Sequence, residues 1–387
     1  MAAGYDVVVV GGGIGGLTVA ALLSARGFST CVLERQSQVG GCIGRVEFSG
    51  LQFEPGMGVY TSFGEGEISE RIFAELPVDV PQTSLVTQPY VVRLADQTDV
   101  KLTGGESFVD ELVVDVQLRA GLAHARGPLY EIEGGPATLA ERLAESIKRS
   151  GGTVRLDTPV LRLAYDQSGA AIGVDLLSGE RITATKAIVS NLTIWDTYGK
   201  LIGLNRTPPE IKKQLNTLQG SGAYVVYATI EDSAIARLPS ERMLVATTPI
   251  DADDDWFTEI TLAVHGRTVT LKSSTDVNEW FTYHSSEEDF EDSDQAALER
   301  FWTKLHAAVP ELGSGIEIIE TANPRTFYDQ TRRKLGMVMG TQSSEIPSPQ
   351  AVFPNLFVVG DTVSPFSDLS SVAQTALSVA DTIKTKR

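Results

Sequence analysis

Tyr5-Asp6-Val7-Val8-Val9-Val10-Gly11-Gly12-Gly13-Ile14-Gly15-Gly16-Leu17, followed about twenty residues on by Cys31-Val32-Leu33-Glu34, is the stretch whose reading decides the fold. Tyr5 to Val10 is a short apolar run rich in β-branched residues, which reads as a fully buried strand. Gly11, Gly13 and Gly16 then stand in the spacing G-x-G-x-x-G. Leu17, Ala20, Ala21 and Leu23 recur at helical spacing up to Arg26, and Gly27 marks the stop. Thr30 to Leu33 is a second strand ending on Glu34. Gly11 permits a sharp turn, Gly13 a close backbone approach to a pyrophosphate, and Gly16 tight helix–strand packing. The helix start directs free N–H groups and a partial positive charge at that pyrophosphate. Glu34 stands where an acid accepts both ribose hydroxyls of an adenosine. The plainer alternative is a strand, turn and helix whose Glu34 is only a solvated strand end.

Working outward, the 387 residues allow two domains or one doubly wound fold with an insertion, and 42% apolar residues allow a sizeable core. A net charge of −18 argues against nucleic acid and against docking on anionic lipid by charge alone. Peripheral membrane contact through an apolar patch stays open. The cysteines are Cys31 and Cys42, without a C-x-x-C spacing, which suits a reducing, cytoplasmic setting. No leader is read ahead of Tyr5, and no apolar run is long enough for a transmembrane segment. Asn191-Leu192-Thr193 and Asn205-Arg206-Thr207 match the glycosylation pattern and are read as coincidence. His124, His265, His284 and His306 lack ligand spacing, so no metal site is expected.

Gln38 to Gly58 is dense in glycine and includes a short strand, Leu51-Gln52-Phe53, before Glu54-Pro55-Gly56. Residues 68–76 read as a helix, 89–94 as a strand and 108–122 as a helix. Glu133-Gly134-Gly135-Pro136 opens a helix with Leu139, Leu143 and Ile147 on its apolar face. The strands expected next span 153–156, 159–163, 171–176, 182–185 and 187–190. Pro208-Pro209 starts a helix through Leu218. Strands over 223–230, 243–247, 257–264 and 268–274 predict an antiparallel sheet, with His265-Gly266-Arg267 as a hairpin turn. The acidic runs 251–255 and 287–294 read as solvated loops, the second preceding a helix over 295–308. Asn355 to Asp361 is a buried strand ending in Gly360-Asp361, and a helix over 370–384 closes the chain.

The glycine turn, Gly40-Gly41, Phe53-Glu54-Pro55-Gly56, Gly134-Gly135 before a helix, Val160 and Gly360-Asp361 together resemble the flavin amine oxidase superfamily. Within it they resemble the phytoene desaturase, carotenoid isomerase and retinol saturase-like branch, as do Asn323-Pro324-Arg325-Thr326 and Gly336 to Gly340. The resemblance implies an α/β fold: a Rossmann-type FAD-binding domain of the glutathione-reductase-like type with an inserted α+β substrate domain on an antiparallel sheet. The FAD domain would comprise 1–65, 130–205 and 322–387, and the substrate domain 66–129 and 206–321. It further implies that Gly11, Gly13, Ile14, Gly15 and Gly16 hold the pyrophosphate, and Glu34 and Arg35 the adenosine. Gly41 and Cys42 would line the path to the flavin, and Val160 would meet the adenine. Gly360 and Asp361 would hold the ribityl or phosphate region, and Val372 would mark the helix that stabilises the reduced ring.

Three departures from the branch stand out. Cys42 replaces the arginine that many relatives carry after the Gly-Gly pair, and Arg45 is the candidate to supply that charge. Pro365-Phe366-Ser367-Asp368 replaces the usual Pro-Gly-x-Gly turn. The chain is shorter than typical desaturases, which argues against a long membrane-drawn polyene. The implied chemistry is desaturation or cis–trans isomerisation of a small apolar, polyene- or isoprenoid-like substrate, with oxygen or a quinone as electron acceptor. No acid or base stands out; Met57 and Tyr60 are the candidates to line the flavin. The alternatives are a flavin amine oxidase and a flavin-free binding protein like the Rab GDP-dissociation inhibitors.

Overall fold

The computed structural model describes residues 3–56, 58–87, 90–102, 128–252, 254–282, 287–338, 348–365 and 368–385. Met57, the helix expected over 108–122, Met339-Gly340 and Phe366-Ser367 lie outside the described residues.

The chain opens with β1 (Ala3–Val10), helix α1 (Ile14–Ala25) and β2 (Thr30–Leu33). A hairpin of β3 (Val46–Phe48) and β4 (Leu51–Phe53) and helix α2 (Ile68–Phe73) follow. Next come β5 (Thr83–Leu85), β6 (Tyr90–Arg93), β7 (Asp99–Leu102), β8 (Tyr130–Ile132) and α3 (Ala137–Arg149). The chain continues through β9 (Thr153–Arg155), β10 (Val160–Tyr165), β11 (Ala171–Leu176), β12 (Arg181–Ser190) and α4 (Pro209–Thr217). The strands β13 (Gly222–Ile230), β14 (Arg242–Ala246), β15 (Glu259–His265) and β16 (Thr268–Thr275) lead to α5 (Glu287–Ala308). The last elements are β17 (Ile316–Ala322), α6 (Pro324–Thr331), β18 (Leu356–Val358) and α7 (Leu369–Thr385).

The first sheet has the order β10-β11-β12-β1-β2-β9, with β18 also on β12. The pairs β12–β1, β1–β2, β2–β9 and β12–β18 are parallel. Alternate residues of β1 enter two cores, Val7 and Val9 one, Val8 and Val10 the other. Burial on both faces explains the unbroken valine run. Helix α1 is buried along Ile14 to Ser24, packed among α3, α7 and β1, as an all-round apolar helix must be. The strands expected over 182–185 and 187–190 are one continuous β12. The register on β1 skips at Lys186, so a bulge stands where a break was expected.

The second sheet has the order β17-β13-β16-β15-β14-β6-β7. It is antiparallel except that β6 runs parallel to β14, which the expectation of an antiparallel sheet missed. Its core packs against α5 through Tyr224, Phe257, Trp280 and Phe301, with Tyr224 stacked on Trp280 at 5.6 Å. The first acidic run is a loop with Asp251 and Asp255 exposed, as expected, and departs only at Asp254, whereas the second departs as a whole. Residues 287–294 form the opening turns of α5, where negative charge suits the helix dipole. Asp254 is buried, 2.8 Å from Lys304 and 3.0 Å from Arg300, and accepts the Ile250 N–H. No helix among the described residues is long and apolar enough to cross a membrane.

Candidate functional site

The C-terminal ends of β1, β2, β12 and β18 converge on the glycine turn, the place where open parallel sheets hold ligands. Gly11 turns there at φ 99°, a conformation that a residue with Cβ rarely adopts. Helix α1 starts behind Gly13 with no side-chain cap and no acid in its first turn. Its opening N–H groups and positive end are therefore left to a ligand. A Cβ on Gly16 would stand 2.5 Å from the Gly11 carbonyl and 3.1 Å from Val9, so glycine permits the close helix–strand packing.

Asn191, just beyond β12, is the residue that sequence reasoning missed in this turn. A Cβ on Gly13 would lie 2.5 Å from its Nδ2, and one on Gly15 2.8 Å from its Oδ1. Its backbone N–H donates to the Val10 carbonyl at 2.8 Å. The overlapping glycosylation pattern is structurally occupied: Thr193 is buried and accepts the Asp196 N–H. The available signal was position, since Ser190-Asn191 ends a strand parallel to β1 one step from Val10-Gly11.

Glu34 leaves β2 and turns back into the same space. Its carboxylate accepts the Gly12 N–H at 2.6 Å and the Gln36 N–H at 2.8 Å. A carboxylate has about four acceptor sites, so two remain for a ligand. The segment leading to Val160 runs alongside, with the Thr158 N–H donating to the Glu34 carbonyl at 2.8 Å. Arg35 donates to the Gln330 carbonyl at the end of α6. Gly40 donates to the Gly12 carbonyl at 2.8 Å, and a Cβ on Gly41 would lie 3.4 Å from Gly13. Gly360 and Val372 meet the turn from the other end of the chain, each 3.2 Å from where a Gly15 Cβ would be. Ile14 is buried beneath.

Asp361 forms a two-pronged ion pair with Arg333, at 3.2 and 2.5 Å. Burial alone would lower the Arg333 pKa, but Asp361 holds it above the ordinary arginine value. The same guanidinium lies 3.7 Å from Cys42 Sγ. Arg45, the expected source of charge, instead pairs with Glu141 at 3.0 Å, with both side chains about half exposed. These parts fit a dinucleotide cofactor: a free helix start, a glycine-lined approach, and an acid on each flank.

Next to this cradle a cavity of about 700 Å³ opens between β4, the start of α3 and the β15–β16 turn. Glu54, Glu131, Glu133, Arg45 and His265 face it. Burial pushes the Glu54 carboxyl up to about 6, opposed by Arg242 and reinforced by Glu131. Burial and Arg242 hold His265 below the ordinary histidine value. His265 Nε2 stands 4.0 Å from Glu54 Oε1. Gly58 sits against the ring at φ 68°, and a Cβ there would come within 2.2 Å of Nε2, so only glycine fits. Thus the hairpin turn of the sequence reading carries a titratable group. Tyr60 exchanges backbone hydrogen bonds with Tyr130, both at 2.8 Å, and burial raises its phenol. Half-buried Lys272, on β16, has its pKa lowered by burial against the opposing pull of Cys42 and Glu259.

Residues 9–76 match the NAD(P)-binding Rossmann-like domain, and residues 111–383 match the family described as flavin containing amine oxidoreductase. The all-trans-retinol 13,14-reductase of Danio rerio is 24% identical over 314 residues, covering 55% of this chain and 52% of the relative. The chloroplastic prolycopene isomerase of Arabidopsis thaliana is 25% identical over 283 residues, covering 65% and 44%. The chain thus spans about half the length of the curated relatives it matches. A solved oxidoreductase from Methanosarcina mazei shares the fold, with a TM-score of 0.68 at 16% identity over 97% of this chain and 99% of that one.

Proposed function

This chain belongs to the flavin containing amine oxidoreductase family, and from that membership we propose an FAD-dependent oxidoreductase acting on carbon–carbon bonds of an apolar, polyene- or isoprenoid-like molecule. The observation that carries the cofactor reading is the glycine turn capped by Glu34, Gly40-Gly41 and Gly360, with α1 aimed into it. The substrate class is supported by relatives named for retinol and prolycopene. When bound, the flavin supplies hydride transfer at its N5 position.

In this reading Gly11, Gly13, Ile14, Gly15 and Gly16 hold the diphosphate, and Glu34 holds the ribose with Arg35 and Val160 near the adenine. Gly41, Cys42, Gly360, Asp361 and Val372 line the flavin path, with Tyr60 and Met57 as candidates beside the ring. The division into 1–65, 130–205 and 322–387 for the cofactor and 66–129 and 206–321 for the substrate is supported by the two sheets. The first draws its strands from the former segments; the second draws its strands from the latter, with β17 ending at Ala322. The electron acceptor is oxygen or a quinone. The setting is cytoplasmic, in keeping with free Cys31 and Cys42.

The test is an absorbance spectrum of the purified protein, then anaerobic mixing with polyenes and analysis of products. A flavin spectrum with saturated, desaturated or isomerised polyene supports the reading. Peroxide released with amines alone replaces it by amine oxidation, and a colourless protein that takes up no FAD replaces it by a binding role.

A further inference from the structure

We propose that the polar end of the cavity, formed by Glu54 and His265 with Arg242 behind them, binds a hydroxyl group carried by an otherwise apolar substrate; this deepens the polyene reading and rests on it. Among the described residues, Glu54 Oε2, His265 Nε2 and Arg242 Nε are buried and find no hydrogen-bond partner. Arg242 is 6% exposed, and its other bond goes to Glu131, which faces the cavity. Buried polar atoms left unpaired are costly, and Glu54 and His265 line the cavity while Arg242 reaches its wall through Glu131, so the group points to a ligand that completes it.

The chemistry of that ligand follows from the donors and acceptors. Glu54 Oε1 and His265 Nε2, 4.0 Å apart, are too far for a direct hydrogen bond, so neither group satisfies the other. An ammonium only donates, so it leaves the Arg242 N–H unmatched and adds charge beside a guanidinium. A carboxylate only accepts, and it would face Glu54, Glu131 and Glu133. A neutral hydroxyl donates to one partner and accepts from another, whichever ring nitrogen of His265 holds the proton. Burial penalises the Glu54 carboxylate, and a hydroxyl donating to it offsets that penalty without adding a second charge.

The experiment titrates FAD-loaded protein with all-trans-retinol, with the hydrocarbon lacking its hydroxyl, and with retinylamine, following protein fluorescence and the flavin band. Retinol is expected to bind about tenfold more tightly than the hydrocarbon, the weight of one net hydrogen bond. Glu54→Leu and His265→Leu should bring that ratio towards one, while Glu54→Gln, which still hydrogen-bonds, keeps most of it. Flavin absorption and melting temperature identify folded variants, and the wild-type ratio together with Glu54→Gln decides if a leucine variant does not fold. Equal, tight binding of alcohol and hydrocarbon removes the hydroxyl site and leaves the polyene reading standing. Tighter binding of the amine, or a ratio unchanged in both leucine variants, also overturns the site. If none of the three binds while the flavin spectrum is intact, the polyene reading itself falls, and the site with it.

Discussion

Glu34 carries two duties at once. It closes the backbone of the turn by accepting from Gly12 and Gln36, and it keeps acceptor capacity turned to the ligand. Glu34→Ala is therefore expected to weaken FAD binding by roughly 1.5–3 kcal/mol, read as the dissociation constant from flavin fluorescence. Unchanged affinity would place the ribose elsewhere. Glu54 makes a different forecast. Its folded pKa of about 6 lies above the ordinary 4.5, so the folded state holds the proton more tightly. Its contribution is most favourable below pH 4.5 and declines as pH rises through about 6. Glu54→Gln should leave stability unchanged near pH 4 and raise it by about 2 kcal/mol near pH 8, measured by urea unfolding at both values. The glycines and Glu34 were legible because their partners lie within one strand–helix–strand unit. Arg333 was not: it meets Asp361 28 residues away and Cys42 291 residues away, and no local spacing encodes such pairs. His265 was hidden for the same reason, since Glu54 reaches it only after two sheets have packed.

At the scale of elements, the clip between the loop at Asp254 and helix α5 is sensitive to a single change. Asp254 is shut away from solvent together with Lys304, whose side chain is 1% exposed. Burial alone would raise the acid, but Lys304, the Ile250 N–H and Arg300 pull it down to about 2. The stabilisation is complete above pH 3.8 and is lost as pH falls towards 2. Asp254→Ala strands a buried lysine and is expected to cost about 3–5 kcal/mol in denaturant unfolding. A loss below 1 kcal/mol would mean Lys304 finds water instead. An acidic run reads as solvated because composition reports charge and not partners. Elements of the first sheet were legible for the opposite reason: parallel strands buried on both faces leave unbroken apolar runs, and β1, β2 and β18 each carry one. The parallel pairing of β6 with β14 left no such mark, because neighbours across a sheet are chosen by topology.

For the whole molecule, the cradle joins residues near both ends to β12 in the middle. Gly11 to Gly41, Asn191 and Gly360 to Val372 meet within one turn. A ligand held by all three segments binds the folded chain and not the unfolded one. FAD at a hundred times its dissociation constant should therefore add about 2.7 kcal/mol, seen as a melting temperature that rises with FAD concentration. A melting temperature indifferent to FAD would mean the segments do not share a ligand.

The order in which those segments are made has a consequence for biosynthesis. The ribosome delivers the turn at Gly11 before Gly360, which follows 349 residues later. A nascent chain stalled ahead of β18 offers the coenzyme a floor without a far wall. Flavin retention is therefore expected to require synthesis past Gly360, and products terminated ahead of β18 are expected to be colourless.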